Sequence, residues 1–360
     1  GDPITFDVVV NPEPNVDQPV SQILCVGDFL DVDFDTTNTG GVSGYMWIND
    51  NSSIGLPLTG SGDISNIPMI NTTNVSQTAN IVVTPTFDNG GISCTGSPKT
   101  FTVTINPAAQ VNPISSKVVC NGESTTLITF SSSNTPGTTT YSWTNDNTSI
   151  GLAGSGPSDI GSFIANNTTT IPQVATIVVT PTYSFNGVDC SGSPETFTIT
   201  VNPSAQVDQP TSLEVCEGVI VSDINFTTLN TGGTTTYSWT NDNSNIGLAP
   251  NGPGAIGSFT VQNSTGTTQV ATIEVTPTFE FDGVPCIGSP KTFTITVNPS
   301  AQVNPIVSDT FCAGDLIPEI KFTSTAVGTT TYAWTNDNTS IGSILASGTG
   351  NIPTFSAINT

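Results

Sequence analysis

The chain has 360 residues, and its four lysines, with no arginine and no histidine, stand against 28 acidic residues for a formal net charge of −24. This balance argues against nucleic acid and anionic lipid as partners, because both are bound through clustered cations. Without histidine, Ser-His-Asp, Cys-His and His-based zinc sites are impossible, and without any run of 18 apolar residues we expect no membrane insertion.

A unit of 95 or 96 residues recurs along the chain. Its clearest marker is TTTYSWTNDNTSIG at 138–151, which returns at 234–247 and 329–342, with a looser copy at 42–55. Self-similarity at a fixed period is the signature of a tandem array. We therefore predict the last strand of a preceding repeat at 1–12, complete repeats at 13–107, 108–203 and 204–299, and a partial repeat at 300–360.

The second repeat shows the strand pattern. Thr126, Ile128 and Phe130 alternate with outward-facing neighbours, which is the period of a half-buried strand. In chain order the predicted strands are 109–120, 126–130, 138–144, 160–165, 173–185 and 196–201, with a Gly-rich loop at 151–158. Short strands separated by turn signals, without a helical period, predict an all-β fold of tandem antiparallel β-sandwiches.

A proline lies inside the long fifth strand of each complete repeat, at Pro85, Pro181 and Pro277. Proline has no N–H to donate to a strand ladder, so these positions predict either an edge strand or a bulge.

The repeated aromatic residues have two readings. Tyr141 and Trp143 are two apart on one strand, so they share a face, and a sandwich core requires large side chains. We predict a structural core role for this set: Tyr45, Trp47, Tyr141, Trp143, Tyr237, Trp239, Tyr332 and Trp334. The alternative is that the tryptophans are exposed and stack on sugar rings.

The turn after this strand, Asn145, Asp146 and Asn147, carries short oxygen ligands of the type that calcium uses. The alternative is an Asx-turn, in which the side chains bond to their own backbone. A single acid in the turn is few for calcium, and we expect no other cofactor.

The second repeat carries, in this order, the motifs VCxGxxTT, YxWTNDNxSIGL, TPT and GxxCxGxPxTFTITVNP. This series resembles the PKD-like (Ig-like) repeats of giant Bacteroidota surface proteins. Gliding-motility adhesins exported by the type IX system are of this kind. The resemblance implies an extracellular place on a bacterial cell surface and a non-enzymatic role as the stalk or shaft of an adhesin or appendage. Its partners would be neighbouring repeats of the same chain and an unknown surface, glycan or protein target. The alternative is a series of glycan- or protein-binding Ig-like modules.

The seven cysteines supply two per complete repeat, one after the first strand and one before the last. In an exported protein we expect disulfides. The two positions fall at opposite poles of an Ig-like sandwich, whereas bridged α-carbons must be within about 7 Å. This favours bridges between consecutive repeats, Cys25–Cys190 and Cys120–Cys286, with Cys94, Cys216 and Cys312 left for other repeats. Two alternatives stay open: pairing within repeats, as Cys25–Cys94, Cys120–Cys190 and Cys216–Cys286, and free thiols.

Overall fold

The computed structural model describes residues 1–342 and 344–359. In this part of the chain the regular elements are β-strands and short 3-10 turns, and no helix is long and apolar enough to cross a membrane. The all-β prediction is confirmed. The chain forms two compact units, of which unit 1 holds residues 1–167 and 173–201, and unit 2 holds residues 168–172 and the chain from Asn202 onward.

Repeat 1 builds a main sheet and a small second sheet. Its strands are β1 (Gln22–Cys25), β2 (Phe29–Val32), β3 (Val42–Asn49), β4 (Thr59–Ser61), β5 (Ile64–Pro68), β6 (Gln77–Asn89), β7 (Ile92–Thr95) and β8 (Lys99–Asn106). The main sheet has the order β1-β8-β6-β3-β4, and β7 pairs with β6. β1 is parallel to β8, and the other pairs are antiparallel. β2 pairs with β5 in the second sheet, and residues of both sheets form the core.

Repeats 2 and 3 reproduce the main sheet. Repeat 2 has the strands β9 (Lys117–Cys120), β10 (Thr138–Asn145), β11 (Ser155–Pro157), β12 (Gln173–Phe185), β13 (Val188–Ser191) and β14 (Glu195–Asn202), in the order β11-β10-β12-β14-β9 with β13 on β12. Repeat 3 has β15 (Leu213–Cys216), β16 (Ile220–Val221), β17 (Thr234–Asn241), β18 (Asn251–Pro253), β19 (Phe259–Thr260), β20 (Gln269–Phe281), β21 (Val284–Ile287) and β22 (Lys291–Asn298). The fourth repeat contributes β23 (Leu316–Ile317), β24 (Ala333–Thr335), β25 (Ser347–Thr349) and β26 (Phe355–Ser356).

The long strands carry the core because apolar and hydroxyl side chains alternate along them. In β12, Ala175, Ile177 and Val179 are fully buried, and Thr176 and Val178 between them are half-buried on the other face. β14 continues the apolar face with Phe197 and Ile199. The predicted strand 173–185 is confirmed to the residue, and the predictions 138–144 and 196–201 are confirmed with ends that differ by one residue.

The repeated proline marks a bulge in the neighbouring strand. The β6–β8 ladder ends at Val83, and the β6–β7 ladder starts at Thr86, so Pro85 falls in the gap. At this gap the Gly96 N–H donates to the Pro85 carbonyl oxygen (3.0 Å), and the equivalent bond recurs at Pro181 and Pro277. Since β6 is flanked by paired strands, the bulge reading is correct and the edge reading is wrong.

The hairpin between β12 and β13 follows from its two turn residues. Asn186 and Gly187 have φ values of 50° and 80°. A type I′ turn requires positive φ at both central positions, and Asn-Gly adopts them at low cost. Asp282 and Gly283 form the same turn in repeat 3, with φ values of 50° and 73°.

Three strand predictions for repeat 2 are wrong in extent. Of 109–120, only Lys117–Cys120 is a strand, because preceding backbone groups bond to the 131–134 segment instead; the Asn112 N–H donates to the Ser131 carbonyl oxygen (2.8 Å). The segments 126–130 and 160–165 meet only through single bridges such as Ile128–Ile160. Thr125 rather than Thr126 is buried, so the alternation breaks before Ile128.

Two further differences concern Gly-rich or terminal segments. The predicted loop at 151–158 contains the strand β11, which pairs with the tryptophan strand β10. Residues 1–12 form no strand in the structure. Their counterparts β8, β14 and β22 each pair with a 13-residue strand of their own repeat. The repeat boundaries stay a prediction.

Candidate functional site at the junction of repeats 1 and 2

A disulfide joins the two repeats of unit 1. Cys25 is the last residue of β1, and Cys190 lies in β13 of the next repeat. Their α-carbons are 5.5 Å apart, within the range that a disulfide bridges. This is the predicted pairing Cys25–Cys190.

The strand order brings these two cysteines together. Cys25 lies beside Asn106, the last residue of β8, because β1 and β8 run parallel. The chain passes from the end of β8 into repeat 2, and the hairpin of β12 and β13 lies against the same point. Here the Asn106 side-chain amide donates to the carbonyl oxygen of Phe185 at the tip of β12 (3.2 Å).

A buried polar cluster lies beside the disulfide. Asn106 and Tyr183 are both fully buried. The Ser76 hydroxyl bonds to the Asn106 side-chain oxygen (2.8 Å) and lies 3.2 Å from the Tyr183 hydroxyl. The Tyr183 hydroxyl also accepts a hydrogen bond from the Gly137 N–H (3.1 Å). Buried polar groups are costly unless bonded, so this chain of contacts stabilises the contact between repeats 1 and 2.

A second contact joins loops of the same two repeats. The Thr135 N–H donates to the Asn74 carbonyl oxygen (3.0 Å), and the Asn74 side chain donates to the Ser133 hydroxyl (2.9 Å). The same backbone bond recurs in unit 2, from Thr231 to Thr170 and from Val327 to Gly266, each at 3.0 Å.

Three asparagines that precede proline at a repeat end, Asn11, Asn106 and Asn202, have a role that was not predicted from the sequence. Asn106 donates to the hairpin of the next repeat, and Asn202 does the same within unit 2, to the carbonyl oxygens of Phe281 and Val284 (both 3.2 Å). Asn11 donates to Ile92, which is the Val284 position of repeat 1 (3.2 Å). The available signal was the recurrence of Asn-Pro at every repeat end.

The alternative pairing within repeats is wrong. Cys25 is bonded to Cys190, and Cys94, Cys216 and Cys312 are free thiols, so none of Cys25–Cys94, Cys120–Cys190 and Cys216–Cys286 forms. The physical reason is the polarity of the repeat: the hairpin cysteine lies at the end that receives the preceding repeat, and the β1-type cysteine lies at the end facing the following one. The Cys120–Cys286 pair stays a prediction.

The repeated tryptophans are core residues in the three complete repeats. Trp47, Trp143 and Trp239 are each 6% exposed, whereas Trp334 in the partial repeat is half-buried. The reading of Trp as an exposed sugar platform is therefore wrong for the complete repeats. Each tryptophan ring covers a glycine of the neighbouring strand; a Cβ added to Gly156 would lie 2.5 Å from Trp143 Cζ2.

The tyrosines lie at the rim of the core rather than inside it. The four predicted core tyrosines, Tyr45, Tyr141, Tyr237 and Tyr332, are half-buried. Each packs against the phenylalanine that repeats with it; the Phe130 and Tyr141 ring centroids are 5.6 Å apart. Burial raises the pKa of Tyr141, and it does the same for Tyr45 and Tyr237.

The calcium candidates Asn145, Asp146 and Asn147 form the Asx-type turn of the alternative reading. The Asn145 side-chain oxygen accepts from the Asn147 N–H (2.9 Å), and the Asn147 oxygen accepts from the Ser149 N–H (3.1 Å). The Asp146 carboxylate accepts from the Thr176 N–H (2.7 Å). These oxygens cap a 3-10 turn and bond to the neighbouring strand. Among the described residues, no group of three acidic, cysteine or histidine side chains has metal-site geometry.

Comparisons with known proteins find structural similarity without a sequence family. No family model and no curated protein matches the chain. The structure is similar to EC22–24 of mouse cadherin-23, with 13% identity and a TM-score of 0.34 over 79% of this chain and 96% of that one. It is also similar to EC3–6 of protocadherin gammaB7, with 14% identity and a TM-score of 0.31 over 97% of this chain and 93% of that one. A third similar structure is the I9–I11 tandem of titin, with 11% identity and a TM-score of 0.26 over 79% of this chain and 99% of that one. At these identities the similarity concerns the fold alone.

Proposed function

We propose that this chain is a stalk segment of a secreted bacterial cell-surface adhesin or appendage. The observation that carries the proposal is the junction in unit 1, where a disulfide and a buried hydrogen-bonded cluster join consecutive repeats. A linker that only tethers independent binding modules needs neither. The resemblance of the motifs to PKD-like repeats favours a gliding-motility adhesin exported by the type IX system.

The placement of aromatic side chains supports a spacer over a glycan-binding array. Modules that bind sugars need an exposed aromatic platform, and a tandem of them would expose it in every repeat. The large exposed aromatics, Phe6, Phe29 and Phe311, occupy unrelated positions, while the repeated tryptophan is buried in each complete repeat. The side chains that recur are therefore committed to the core and the junction.

An extracellular location follows from the same features. Structural disulfides persist in oxidising compartments, and Cys25–Cys190 is of this kind. The four lysines of the whole chain leave few cleavage points for trypsin-like proteases, which suits an exposed setting.

The proposal is tested by removing one repeat from the 360-residue chain, displayed between a surface anchor and a terminal binding domain of known target. Deletion of 108–203 removes one period and puts Cys286 in the position of Cys190, so a bridge to Cys25 is still formed. We expect the binding domain to keep its affinity and lose reach by about 40 Å, the length of a 13-residue strand.

A matched control replaces repeat 2 with a second copy of repeat 3, which restores the period without the original residues. Reach that is unchanged by the deletion would contradict the spacer role. Saturable binding of the chain itself to a glycan or protein, lost when one repeat is removed, would instead establish the binding-module alternative.

A further inference from the structure

The first and last strands of repeat 1 are arranged to bear a pulling force. β1 and β8 run side by side and parallel, in register from Gln22–Val103 to Cys25–Asn106. The chain enters at the start of β1 and leaves at the end of β8, which are opposite ends of this pair. When the Cys25–Cys190 bond is open, tension along the chain therefore loads the interstrand hydrogen bonds in shear, all together rather than one by one. β15 and β22 repeat the arrangement in repeat 3.

The disulfide adds a covalent limit to this arrangement. Cys25 and Cys190 are 165 residues apart in sequence, and the loop that they close contains every strand from β2 to β12. A force applied to residues outside the loop passes through the sulfur–sulfur bond. The residues inside the loop cannot lengthen the chain while that bond is intact, even if their strands unfold.

We propose that unit 1 is a tension-bearing tether whose extension is capped by the Cys25–Cys190 bridge. This proposal goes beyond the spacer function, because a spacer only has to keep its length when no pulling force acts on it. The contacts beside the bridge give it a second property: Asn106 still holds the Phe185 carbonyl, and Ser76 still contacts Tyr183, when the sulfur atoms separate. Reduction therefore leaves the junction folded and converts the loop into a reserve of length that force can release.

The experiment is single-molecule pulling on the full chain between Gly1 and an attachment introduced at the exposed Gln206, both outside the loop. The oxidised chain and the Cys25→Ser/Cys190→Ser chain are unfolded completely. We expect the variant to release more length by roughly 500–600 Å, since 165 residues extend by about 3.3–3.6 Å each. Cys216→Ser, which removes an exposed free thiol, is the matched control and should extend like the parent.

A second measurement uses the unmutated chain, so that a folding defect of the variant does not decide the result. A dithiol is added to a molecule held under force; it supplies two electrons and two protons, becomes a cyclic disulfide, and leaves thiols at Cys25 and Cys190. An added extension step of the same size supports the cap. Equal lengths before and after reduction, or mass mapping that finds Cys25 unbridged, would overturn it.

Discussion

At the scale of single residues, the repeated tryptophan and a glycine on the neighbouring strand form one packing element. Trp143 lies opposite Gly156, and the pairs Trp47–Gly60, Trp239–Gly252 and Trp334–Gly348 repeat the register. The sequence predicted the buried tryptophan, because a large side chain two residues from Tyr141 must share its face. It did not predict the glycine partner, because a Gly-rich stretch has the composition of a loop.

We expect Gly156→Ala to destabilise repeat 2. The added Cβ would lie 2.5 Å from Trp143 Cζ2, and such overpacking costs about 1–3 kcal/mol. Hydrogen exchange should therefore quicken roughly 5- to 150-fold in β10 and β11, while β17 and β18 of repeat 3 serve as an internal reference. Gly154→Ala is the control, because its Cβ would meet only Thr148 Cγ2 at an ordinary 3.5 Å.

The asparagines at the repeat ends differ in burial and in whether their side-chain oxygen accepts a hydrogen bond. Ser76 supplies a hydroxyl to Asn106, and Thr268 supplies one to Asn298 (3.0 Å). The matching residue of repeat 2 is Pro172, which has no hydroxyl, and the Asn202 side-chain oxygen has no hydrogen-bond partner among the described residues. The residue at the Ser76, Pro172 and Thr268 position thus decides whether the asparagine side-chain oxygen accepts a hydrogen bond.

We expect Ser76→Ala to cost about 1–3 kcal/mol, because it leaves the fully buried Asn106 oxygen without its donor. Thr268→Ala removes the equivalent bond from Asn298, which is partly exposed, so water can replace the donor and the cost should be small. The loss of unfolding free energy in each variant is measured by urea unfolding, with hydrogen exchange used to monitor each repeat separately. Equal costs would show that burial of the asparagine does not set the effect.

Because the repeated tyrosines are half-buried, we expect the free energy of unfolding to fall at alkaline pH. Burial raises the pKa of Tyr141, so the folded state binds the phenolic proton more tightly than the unfolded state. This contribution is complete below the ordinary tyrosine pKa of about 10 and is lost as pH rises through the folded pKa. With the free thiols alkylated, Tyr141→Phe should weaken the alkaline fall in unfolding free energy, measured relative to each protein at neutral pH. An unchanged slope would contradict the assignment.

At the scale of elements, the long strands were predictable and the second sheet was not. β12 is rich in Val and Thr and buries every second side chain from Ala175 to Tyr183, so its extended conformation is clear. The segment 126–130 has only three alternating positions, and a break at Thr126 and Leu127 removes one of them. The hydrogen bonds of the junction depend on which side-chain amide meets which carbonyl, and no periodicity encodes that.

The hairpin of β12 and β13 gives a prediction at this scale. Asn186→Ala should cost about 1 kcal/mol, because alanine is disfavoured at the positive φ of 50° that asparagine tolerates. Since the hairpin carries Cys190, we expect slower formation of the Cys25–Cys190 bridge during oxidative refolding, measured by quenched mass mapping. Asn186→Asp is the matched control, because Asp282 has the same φ in repeat 3. Equal rates of bridge formation in the alanine and aspartate variants would show that the Asn186-Gly187 turn does not control this rate.

At the scale of the whole molecule, the cysteine pairing was predictable because it depends on the poles of a sandwich and not on side-chain detail. The first strand and the final hairpin end at opposite poles of each repeat, so proximity had to be sought in the next repeat. Unit 1 bears this out with Cys25–Cys190. What the sequence could not supply is the set of contacts that hold the two poles together before oxidation, such as Asn106 to Phe185.

The bridge should also stabilise unit 1 against unfolding. Closing a loop of 165 residues removes conformational entropy from the unfolded chain, worth up to about 5 kcal/mol in the chain-entropy estimate. We expect Cys25→Ser/Cys190→Ser to lower the calorimetric unfolding temperature of unit 1, because its unfolded state is no longer cross-linked. Cys216→Ser leaves this loop intact and should not shift it. If both variants unfold at the parent temperature, then the contacts around Asn106, rather than the covalent loop, determine the stability of unit 1.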